Sequence, residues 1–316
     1  MKICILDAKT LGNVDISPIK SLGDTIVYET SYDNIEEKIK DCEIIINNKV
    51  ILNESVLKNC KKLKMIALTS TGTNVVDLEY AKRNSIAVAN VSGYSTNCVV
   101  QHTFAMLFYL CERLKYYDEY VKKGDYCKSD IFTHYGPLFM EISSKTWGII
   151  GLGAIGNAVA KAANAFGTDV IYYSTTGKNN NDIYIRTDLD SLLKQSDIIS
   201  IHCPLNENTY NLISENELNK MKKNCILLNL SRGGVINEKD LAYALDKNLI
   251  YAVGLDVLEN EPMRKDNPLL KVKNSDKLLI TPHIAWASEE ARTRLIEETA
   301  ENIKAFLNNV RRNRVD

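Results

Sequence analysis

Short apolar segments alternate with amphipathic segments along almost the whole chain. The first apolar series comprises "KICILD", "EIIINN", "KMIALTS" and "IAVANV", with the helix-like stretches "NIEEKIKDC" and "NVVDLEYAKRN" between them. A second series begins at "TWGIIGLG" and continues through "DVIYYS", "DIISIHCP", "NCILLNLS", "YAVGLDV" and "LLITPHI". Strands that are apolar throughout are buried on both faces, and their alternation with helices is typical of parallel sheets. The pattern predicts an α/β protein with two parallel sheets.

Two longer segments predict helices. Residues 97–126 between the two series are long enough for one extended helix that bridges two domains. Near the end of the chain, apolar residues recur at helical spacing and predict a final helix that returns to the first domain: Leu295, Ile296, Ile303, Phe306 and Leu307. A chain of 316 residues favours two domains, and without a low-complexity linker their boundary is expected to be a hinge.

Composition narrows the class of protein. The chain is 45% apolar and 25% charged with a net charge of -1, which predicts a soluble protein that binds neither nucleic acid nor membrane. Its eight cysteines include no C-x-x-C pair and no cluster with histidine, so we expect no metal site and a reducing, cytoplasmic location. The N-terminus becomes charged too early for a signal peptide, and the most apolar stretch is too short to span a bilayer.

A glycine-rich turn opens the second series. Gly151, Gly153 and Gly156 form G-x-G-x-x-G directly after an apolar strand and before the helical segment "NAVAKAANAFG". The first glycine permits a tight turn, the second lets backbone approach a pyrophosphate, and the third lets helix pack closely on strand. Glycines also mark ordinary turns, but a strand before and a helix after favour dinucleotide binding.

Polar residues follow three consecutive strands of the second series. Arg232 comes after "NCILLNLS"; Asp256, Glu259 and Glu261 follow the next strand; and His283 follows the third. Singly, each residue has a plainer interpretation, as a surface arginine, a solvated acidic loop or a packed histidine. Together, at the sheet end where ligands bind, they can provide an anion clamp, a general acid and a partner that keeps the imidazole protonated.

The other three histidines are weaker candidates. His102 lies in an apolar helical run and is expected to pack in a core or interface, and His134 lies in the loop "FTHYGP". His202 ends a strand near the expected cofactor site, but nothing beside it in the sequence points to catalysis.

With these motifs in place, the chain resembles the D-2-hydroxyacid dehydrogenase family. The matching motifs are "GLGAIG", "IHCPLNENTYNLI", "LNLSRGGVINEKDL", "GLDVLENEP" and "TPHIAW", in this order, and 29 and 22 residues separate Arg232, Glu261 and His283. The resemblance implies that Arg232 binds the substrate carboxylate and carbonyl. His283 would donate a proton to the carbonyl oxygen, and Glu261 would hold His283 protonated.

The resemblance also implies an architecture. It predicts two Rossmann-like parallel-sheet domains, a flavodoxin-like substrate domain of residues 1–98 plus 287–316 and a doubly wound dinucleotide-binding domain of residues 99–286. Substrate would bind in the cleft between them. A homodimer through the dinucleotide-binding domain is expected, as in the family.

The family's binding positions map onto particular residues of this chain. Thr71 and Gly72, in "STGTNVVD", match the loop whose backbone grips the substrate carboxylate, and Trp286 would also contact substrate. Asp256 matches the residue that holds the nicotinamide carboxamide. The remaining expected cofactor contacts are Gly151, Gly153, Ala154, Ile155, Gly156, Ser174, Thr175, Thr176, Lys178, Cys203, Pro204, Thr209, Leu230 and Ala285.

The branch of the family determines the substrate. The loop "ALTSTGTNVVD" carries no cation, which favours an unphosphorylated acid, and "PHIAWAS" resembles the glycerate dehydrogenase (hydroxypyruvate reductase) branch. We expect reduction of hydroxypyruvate or glyoxylate to D-glycerate or glycolate. A broader 2-keto acid reductase is the nearest alternative, and a non-catalytic NAD(H)-sensing protein of the same fold is another. Formate dehydrogenases share the fold but have Gln where this chain has Glu261, so Glu261 argues against that activity.

The segment "VIYYSTTGKNN" bears on the choice of cofactor. Ser174 lies 18 residues after Gly156, where NAD-specific relatives carry an acid that binds the ribose hydroxyls. Without that acid, a 2′-phosphate is not repelled, and Ser174, Thr175, Thr176 and Lys178 can bind it. The segment contains no arginine, so the same hydroxyls can instead bind the ribose of NAD. The sequence slightly favours NADP(H) or dual use over NAD(H) alone.

Overall fold

The computed structural model describes residues 1–316, which divide into two compact units. The first unit contains residues 1–95 and 287–316, and the second contains residues 96–286. None of their helices is both long and apolar enough to cross a membrane.

Twelve strands and eleven α-helices form the two units. The strands are β1 (Lys2–Ile5), β2 (Asp24–Val27), β3 (Ile44–Asn47), β4 (Met65–Leu68), β5 (Ala87–Ala89), β6 (Thr146–Ile150), β7 (Asp169–Tyr173), β8 (Ile185–Arg186), β9 (Ile198–Ile201), β10 (Ile226–Asn229), β11 (Ala252–Leu255) and β12 (Leu278–Ile280). The helices are α1 (Ser17–Lys20), α2 (Ile35–Ile39), α3 (Glu54–Leu57), α4 (Leu78–Arg83), α5 (Thr96–Cys111), α6 (Leu114–Lys122), α7 (Ala154–Ala165), α8 (Leu189–Gln195), α9 (Glu215–Lys220), α10 (Glu238–Asp246) and α11 (Glu289–Leu307).

The first unit is a five-stranded parallel sheet in the order β2-β1-β3-β4-β5. The central strands β3 and β4 are buried along their whole length, as their continuous apolar sequences predict. Helix α11 returns to this unit, where Leu295, Ile296 and Ile303 are buried, whereas Leu307 at its end is exposed. This strand order is that of flavodoxin-like sheets.

The second unit is a seven-stranded parallel sheet in the order β12-β11-β10-β9-β6-β7-β8. Its first strand, β6, lies between β7 and β9, so the strand order reverses beside β6. In open parallel sheets, such a reversal opens a crevice at the carboxyl ends of the strands, where ligands bind. The two sheets confirm the predicted α/β class.

The prediction of one extended helix after residue 97 is wrong. Helix α5 ends at Cys111 and α6 starts at Leu114, and both lie in the second unit. The break is at Arg113, whose φ of 55° is in the left-handed region. The Arg113 Nε donates a hydrogen bond of 2.9 Å to the Tyr251 hydroxyl, and the guanidinium lies over the Tyr251 ring. These contacts hold a conformation that ends the first helix.

Candidate active site

The carboxyl ends of six neighbouring strands are aligned in register. The paired residues that form this row are Tyr173, Ile150, Ile201, Asn229, Leu255 and Ile280. The residues that directly follow these strand ends are, in the same order, Ser174, Gly151, His202, Leu230, Asp256 and Thr281. Nearly all the site residues predicted for this unit therefore lie within a few residues of one sheet edge.

The glycine turn between β6 and α7 is shaped by close backbone contacts. Gly151 has a φ of 93°, and a β-carbon there would lie 2.8 Å from the backbone of Cys203. A β-carbon on Gly156 would overlap the carbonyl oxygen of Gly151. At Gly153, in contrast, a β-carbon would meet nothing within 4 Å. Position 153 thus faces open space, while the other two glycines are required by packing.

This turn fits the pyrophosphate of a dinucleotide. Gly153 is the N-cap of the 12-residue helix α7, and no side chain caps the first N–H groups there. These N–H groups and the helix dipole favour a phosphate.

His202, which follows β9, donates its backbone N–H to the Ile150 carbonyl at 2.8 Å, and both of its ring nitrogens are buried without a partner. Burial lowers the pKa of His202 to about 3, so this unpaired imidazole is neutral.

Alanine substitutions distinguish the two kinds of glycine. We expect Gly153→Ala to leave the thermal unfolding temperature nearly unchanged, because the methyl group enters open space, yet to weaken dinucleotide binding at least tenfold by crowding the phosphates. Gly156→Ala should instead destabilise the fold, because its methyl group overlaps the Gly151 carbonyl. Calorimetry and cofactor titration measure both effects. Full cofactor affinity in Gly153→Ala would contradict the assignment of the turn.

The loop after β7 folds back onto the glycine turn. Ser174 is buried, and its Oγ accepts a hydrogen bond from the Asn179 backbone N–H at 3.4 Å. The Asn179 side-chain amide donates to the Leu152 carbonyl at 3.1 Å. Thr176 and Lys178 are exposed at the tip of the loop. The structure thus brings the predicted ribose-binding segment beside the glycine turn.

The loop after β9 contains three of the predicted cofactor contacts. The Thr209 hydroxyl donates to the Pro204 carbonyl at 2.7 Å and accepts from the Asn206 N–H at 2.8 Å. Cys203 is buried, and burial raises the pKa of its thiol to about 11. Thr209 therefore shapes this loop, and Cys203 is an uncharged packing residue.

The turn that carries Arg232 is built on Asn229. The buried Asn229 side chain accepts hydrogen bonds from the Ser231 N–H and hydroxyl, at 3.0 and 2.9 Å, and donates to the Arg232 carbonyl at 2.8 Å. The next residue, Gly233, packs directly on the backbone after β11, where any β-carbon would overlap the Leu258 carbonyl group. The turn after β10 is therefore fixed against the segment that leads to Glu261.

Asp256 holds the turn that carries His283. Its carboxylate accepts hydrogen bonds from the Thr281 hydroxyl at 2.6 Å, the Ile284 N–H at 2.8 Å and the Ala285 N–H at 2.9 Å. His283 has a φ of 55°, and its N–H donates to the Asp256 carbonyl at 2.8 Å. A non-glycine residue in the left-handed region costs free energy, and such residues concentrate at functional sites.

His283 and Glu261 form a direct pair. The Nδ1 atom of His283 lies 2.7 Å from Oε2 of Glu261, and Oε1 of the same carboxylate accepts the Leu258 N–H at 3.0 Å. The backbone contact orients the carboxylate, which in turn orients the ring. The Nε2 atom, on the other side of the ring, makes no hydrogen bond within the protein. This nitrogen is available to a ligand.

Two supporting residues were not found from the sequence. Buried Glu238, at the start of α10, accepts the Glu259 N–H at 2.7 Å and the Asn267 side-chain amide at 2.6 Å, so it braces the acidic loop. His102, which was expected to pack in a core or interface, is partly buried, and its Nε2 lies 3.1 Å from the Thr281 hydroxyl. Neither role is visible in the sequence, because each partner is distant along the chain.

The remaining predicted substrate contacts are Thr71, Gly72 and Trp286. Thr71 and Gly72 belong to the first unit, in the loop after β4, where the Thr71 hydroxyl donates to the Val91 carbonyl at 3.0 Å. The Gly72 carbonyl accepts the Ser70 hydroxyl at 2.7 Å. Trp286, three residues after His283, is partly buried at the end of the second unit.

Comparison with known proteins decides the family. Residues 104–285 match the model of the NAD-binding domain of D-isomer specific 2-hydroxyacid dehydrogenases. The chain belongs to this family. A hydroxypyruvate reductase from Blautia hydrogenotrophica is 38% identical to it, over 97% of each chain. The chain is thus an oxidoreductase of the D-isomer specific 2-hydroxyacid dehydrogenase family, and the resemblance predicted from its motifs is confirmed.

Solved structures agree with the family and its fold. An acyclic imino acid reductase in complex with NADPH and D-Arg is 32% identical with a TM-score of 0.87, and covers 100% of both chains. A D-lactate dehydrogenase from Aquifex aeolicus, complexed with NAD and lactic acid, is 30% identical with a TM-score of 0.86, over 98% of this chain and 96% of its own. Of these two neighbours, one is in complex with NADPH and the other with NAD.

Proposed function

We propose that the protein reduces a small unphosphorylated 2-keto acid, hydroxypyruvate or glyoxylate, to the corresponding 2-hydroxy acid, D-glycerate or glycolate, with NADPH or NADH. The observation that carries this proposal is the pair of His283 and Glu261 beside the turn of Arg232, at the sheet edge that also carries the glycine turn. A general acid, an anion clamp and a dinucleotide turn are the parts that keto-acid reduction requires.

The proton comes from His283. With its Nδ1 facing the Glu261 carboxylate, the ring presents its Nε2, which has no partner in the protein, to the substrate. The carboxylate orients the ring through the contact at Nδ1. As the substrate carbonyl carbon gains a hydride, Nε2 gives its proton to the carbonyl oxygen, and the neutral imidazole recovers a proton from solvent. When bound, the dinucleotide supplies the hydride.

Arg232 orients the substrate. A guanidinium can hold a carboxylate through two parallel hydrogen bonds, which fix the adjacent carbonyl as well as the charge. The turn of Asn229, Ser231 and Gly233 holds the Arg232 backbone, and Nη1 of the guanidinium donates to the Ser231 carbonyl at 2.7 Å. We also assign substrate contacts to Thr71 and Gly72, through backbone N–H groups, and to Trp286.

Two features support an unphosphorylated substrate and NADP(H) or dual cofactor use. The Thr71 loop from residue 69 to residue 76 carries no cation that would bind a substrate phosphate. Residues 174–178 carry no carboxylate, so nothing at that position repels a 2′-phosphate. We assign Asp256 to the nicotinamide carboxamide in addition to its role in holding the 281–285 turn.

A substrate and cofactor panel tests this proposal. We would measure kcat/KM for hydroxypyruvate, glyoxylate, pyruvate and a phosphorylated hydroxypyruvate, each with NADPH and with NADH. Hydroxypyruvate or glyoxylate should have the highest values and the phosphorylated acid the lowest. Similar values for all unphosphorylated acids would instead show the broad 2-keto acid reductase. A kcat/KM with NADPH far below that with NADH would limit the enzyme to NAD(H).

We also propose a homodimer formed through the second unit. The segment after α6 exposes large apolar side chains, with Phe132, Tyr135 and Leu138 each more than 80% exposed and Phe139 nearby at 59%. Exposed apolar patches of this kind mark protein interfaces. The ring of His134 stacks on Tyr120 with centroids 3.7 Å apart, which gives the segment a defined shape.

Light scattering during gel filtration tests the dimer. The wild-type protein should have the mass of two chains, and the double change Leu138→Asp with Phe139→Asp should shift it toward one chain, because the new charges would be buried in the interface. Leu270→Asp, at an exposed leucine elsewhere in the unit, is the matched control and should leave the mass unchanged. A double variant that remains a dimer would place the interface elsewhere.

A further inference from the structure

An arginine from outside the 174–180 loop lies against its tip. Arg186 is on β8, where it pairs with Tyr172 of β7. Its Nη1 atom donates to the Gly177 carbonyl at 3.0 Å and to the Asn180 side-chain oxygen at 3.4 Å. Gly177, with a φ of 70°, turns the loop so that its carbonyl can receive this bond. The structure therefore supplies the arginine that residues 170–180 lack.

Most of the hydrogen-bonding capacity of this guanidinium is unused. Only Nη1 bonds to the protein, whereas Nε and Nη2 make no hydrogen bond, and no carboxylate pairs with Arg186 or with Lys178. Both side chains are exposed, so the loop tip carries two cations without an anionic partner. An arginine with its free N–H groups beside a second cation is the arrangement that binds phosphate oxygens.

The position of this cation relative to the glycine turn indicates its ligand. Asn179 ties the loop to the Leu152 carbonyl, within the turn that faces the pyrophosphate, and Ser174 directly follows β7 at the place of the ribose-binding residue. A group that projects from the adenosine ribose would therefore lie between Ser174 and Arg186. In NADP(H), the 2′-phosphate projects from that ribose.

We propose that Arg186 is the residue that determines recognition of the 2′-phosphate of NADP(H), with Lys178 as a weaker second cation. This inference rests on the proposed use of NADP(H). In this account Nη1 holds the loop through Gly177, while Nε and Nη2 bind the phosphate. Arg186 favours NADP(H) because it attracts the 2′-phosphate, whereas the absence of an acid near Ser174 only removes a repulsion.

Calorimetric binding of two cofactor fragments tests the role of Arg186 without turnover. The fragments 2′,5′-ADP and 5′-AMP differ by the phosphate in question. The wild type should bind 2′,5′-ADP more tightly, and Arg186→Gln should weaken 2′,5′-ADP roughly tenfold to a hundredfold while leaving 5′-AMP unchanged. Arg186→Lys should lie between them, because it keeps the charge but loses the planar fork. Lys223→Gln removes one exposed charge before β10, at the opposite sheet edge, and should change neither affinity.

The outcomes separate this inference from the cofactor proposal. If the wild type prefers 2′,5′-ADP and Arg186→Gln keeps that preference, NADP(H) use stands and the role of Arg186 is overturned. If Arg186→Gln weakens both fragments equally, Arg186 only shapes the loop, which also overturns the inference. If the wild type binds 5′-AMP as tightly as 2′,5′-ADP, the inference is wrong while dual use stands; if it binds 5′-AMP far more tightly, the NADP(H) assignment is wrong as well.

Discussion

Replacing His283 with alanine is expected to lower kcat for keto-acid reduction by about 10²–10⁴-fold, the usual contribution of a general acid. In His283, Nδ1 contacts Glu261, so Nε2 is the ring nitrogen that can bind a substrate, and alanine removes it. Binding of NADPH or NADH, measured by fluorescence titration, should change little, because the glycine turn and the loop after β7 do not depend on this ring. A kcat near the wild-type value would remove His283 from its role.

The variant Glu261→Gln separates proton donation from positioning. Glutamine keeps a side chain near His283 but removes the negative charge that lies 2.7 Å from its ring. The ring then loses its charged partner at Nδ1, so kcat for reduction should fall, but by less than in His283→Ala, because Nε2 is retained. A kcat equal to that of the wild type would show that Glu261 does not position the proton donor.

Arg232→Lys is expected to raise KM for the keto acid by roughly 10–100-fold, with a smaller fall in kcat. Lysine keeps the positive charge but cannot form two parallel hydrogen bonds to one carboxylate, and such a loss costs about 1.5–3 kcal/mol. Steady-state kinetics at saturating dinucleotide measure both constants. Arg264→Lys is the matched control, since Arg264 is an exposed arginine of the same unit paired with Asp266. An unchanged KM in Arg232→Lys would count against the carboxylate clamp.

The sequence predicted every strand except one edge strand of each sheet. Strands such as β3 and β10 are continuous apolar runs because helices cover both of their faces. The missed strands, β2 and β8, are both edge strands, and their residues are partly or fully exposed. An edge strand needs no continuous apolar run, so its sequence resembles that of a loop.

Within the candidate site, too, some residues were predicted from the sequence and others were not. Arg232, Glu261 and His283 were predicted because the carboxyl ends of parallel strands lie along one side of the sheet, so residues just after neighbouring strands must lie near each other. Arg186 and Glu238 were not predicted, because they act through loops that return from a distance. Whether an arginine reaches Gly177 depends on the register of β8 against β7, and no local pattern contains that information.

The most direct test of the proposed function is the identity of the product formed from hydroxypyruvate. Purified protein would be incubated with hydroxypyruvate and excess NADPH, and in a second reaction with NADH, and the glycerate formed would be resolved into its enantiomers. We expect catalytic turnover of hydroxypyruvate to D-glycerate, with consumption of one dinucleotide per molecule formed and loss of turnover in His283→Ala. Formation of L-glycerate, or no turnover with either dinucleotide, would contradict it.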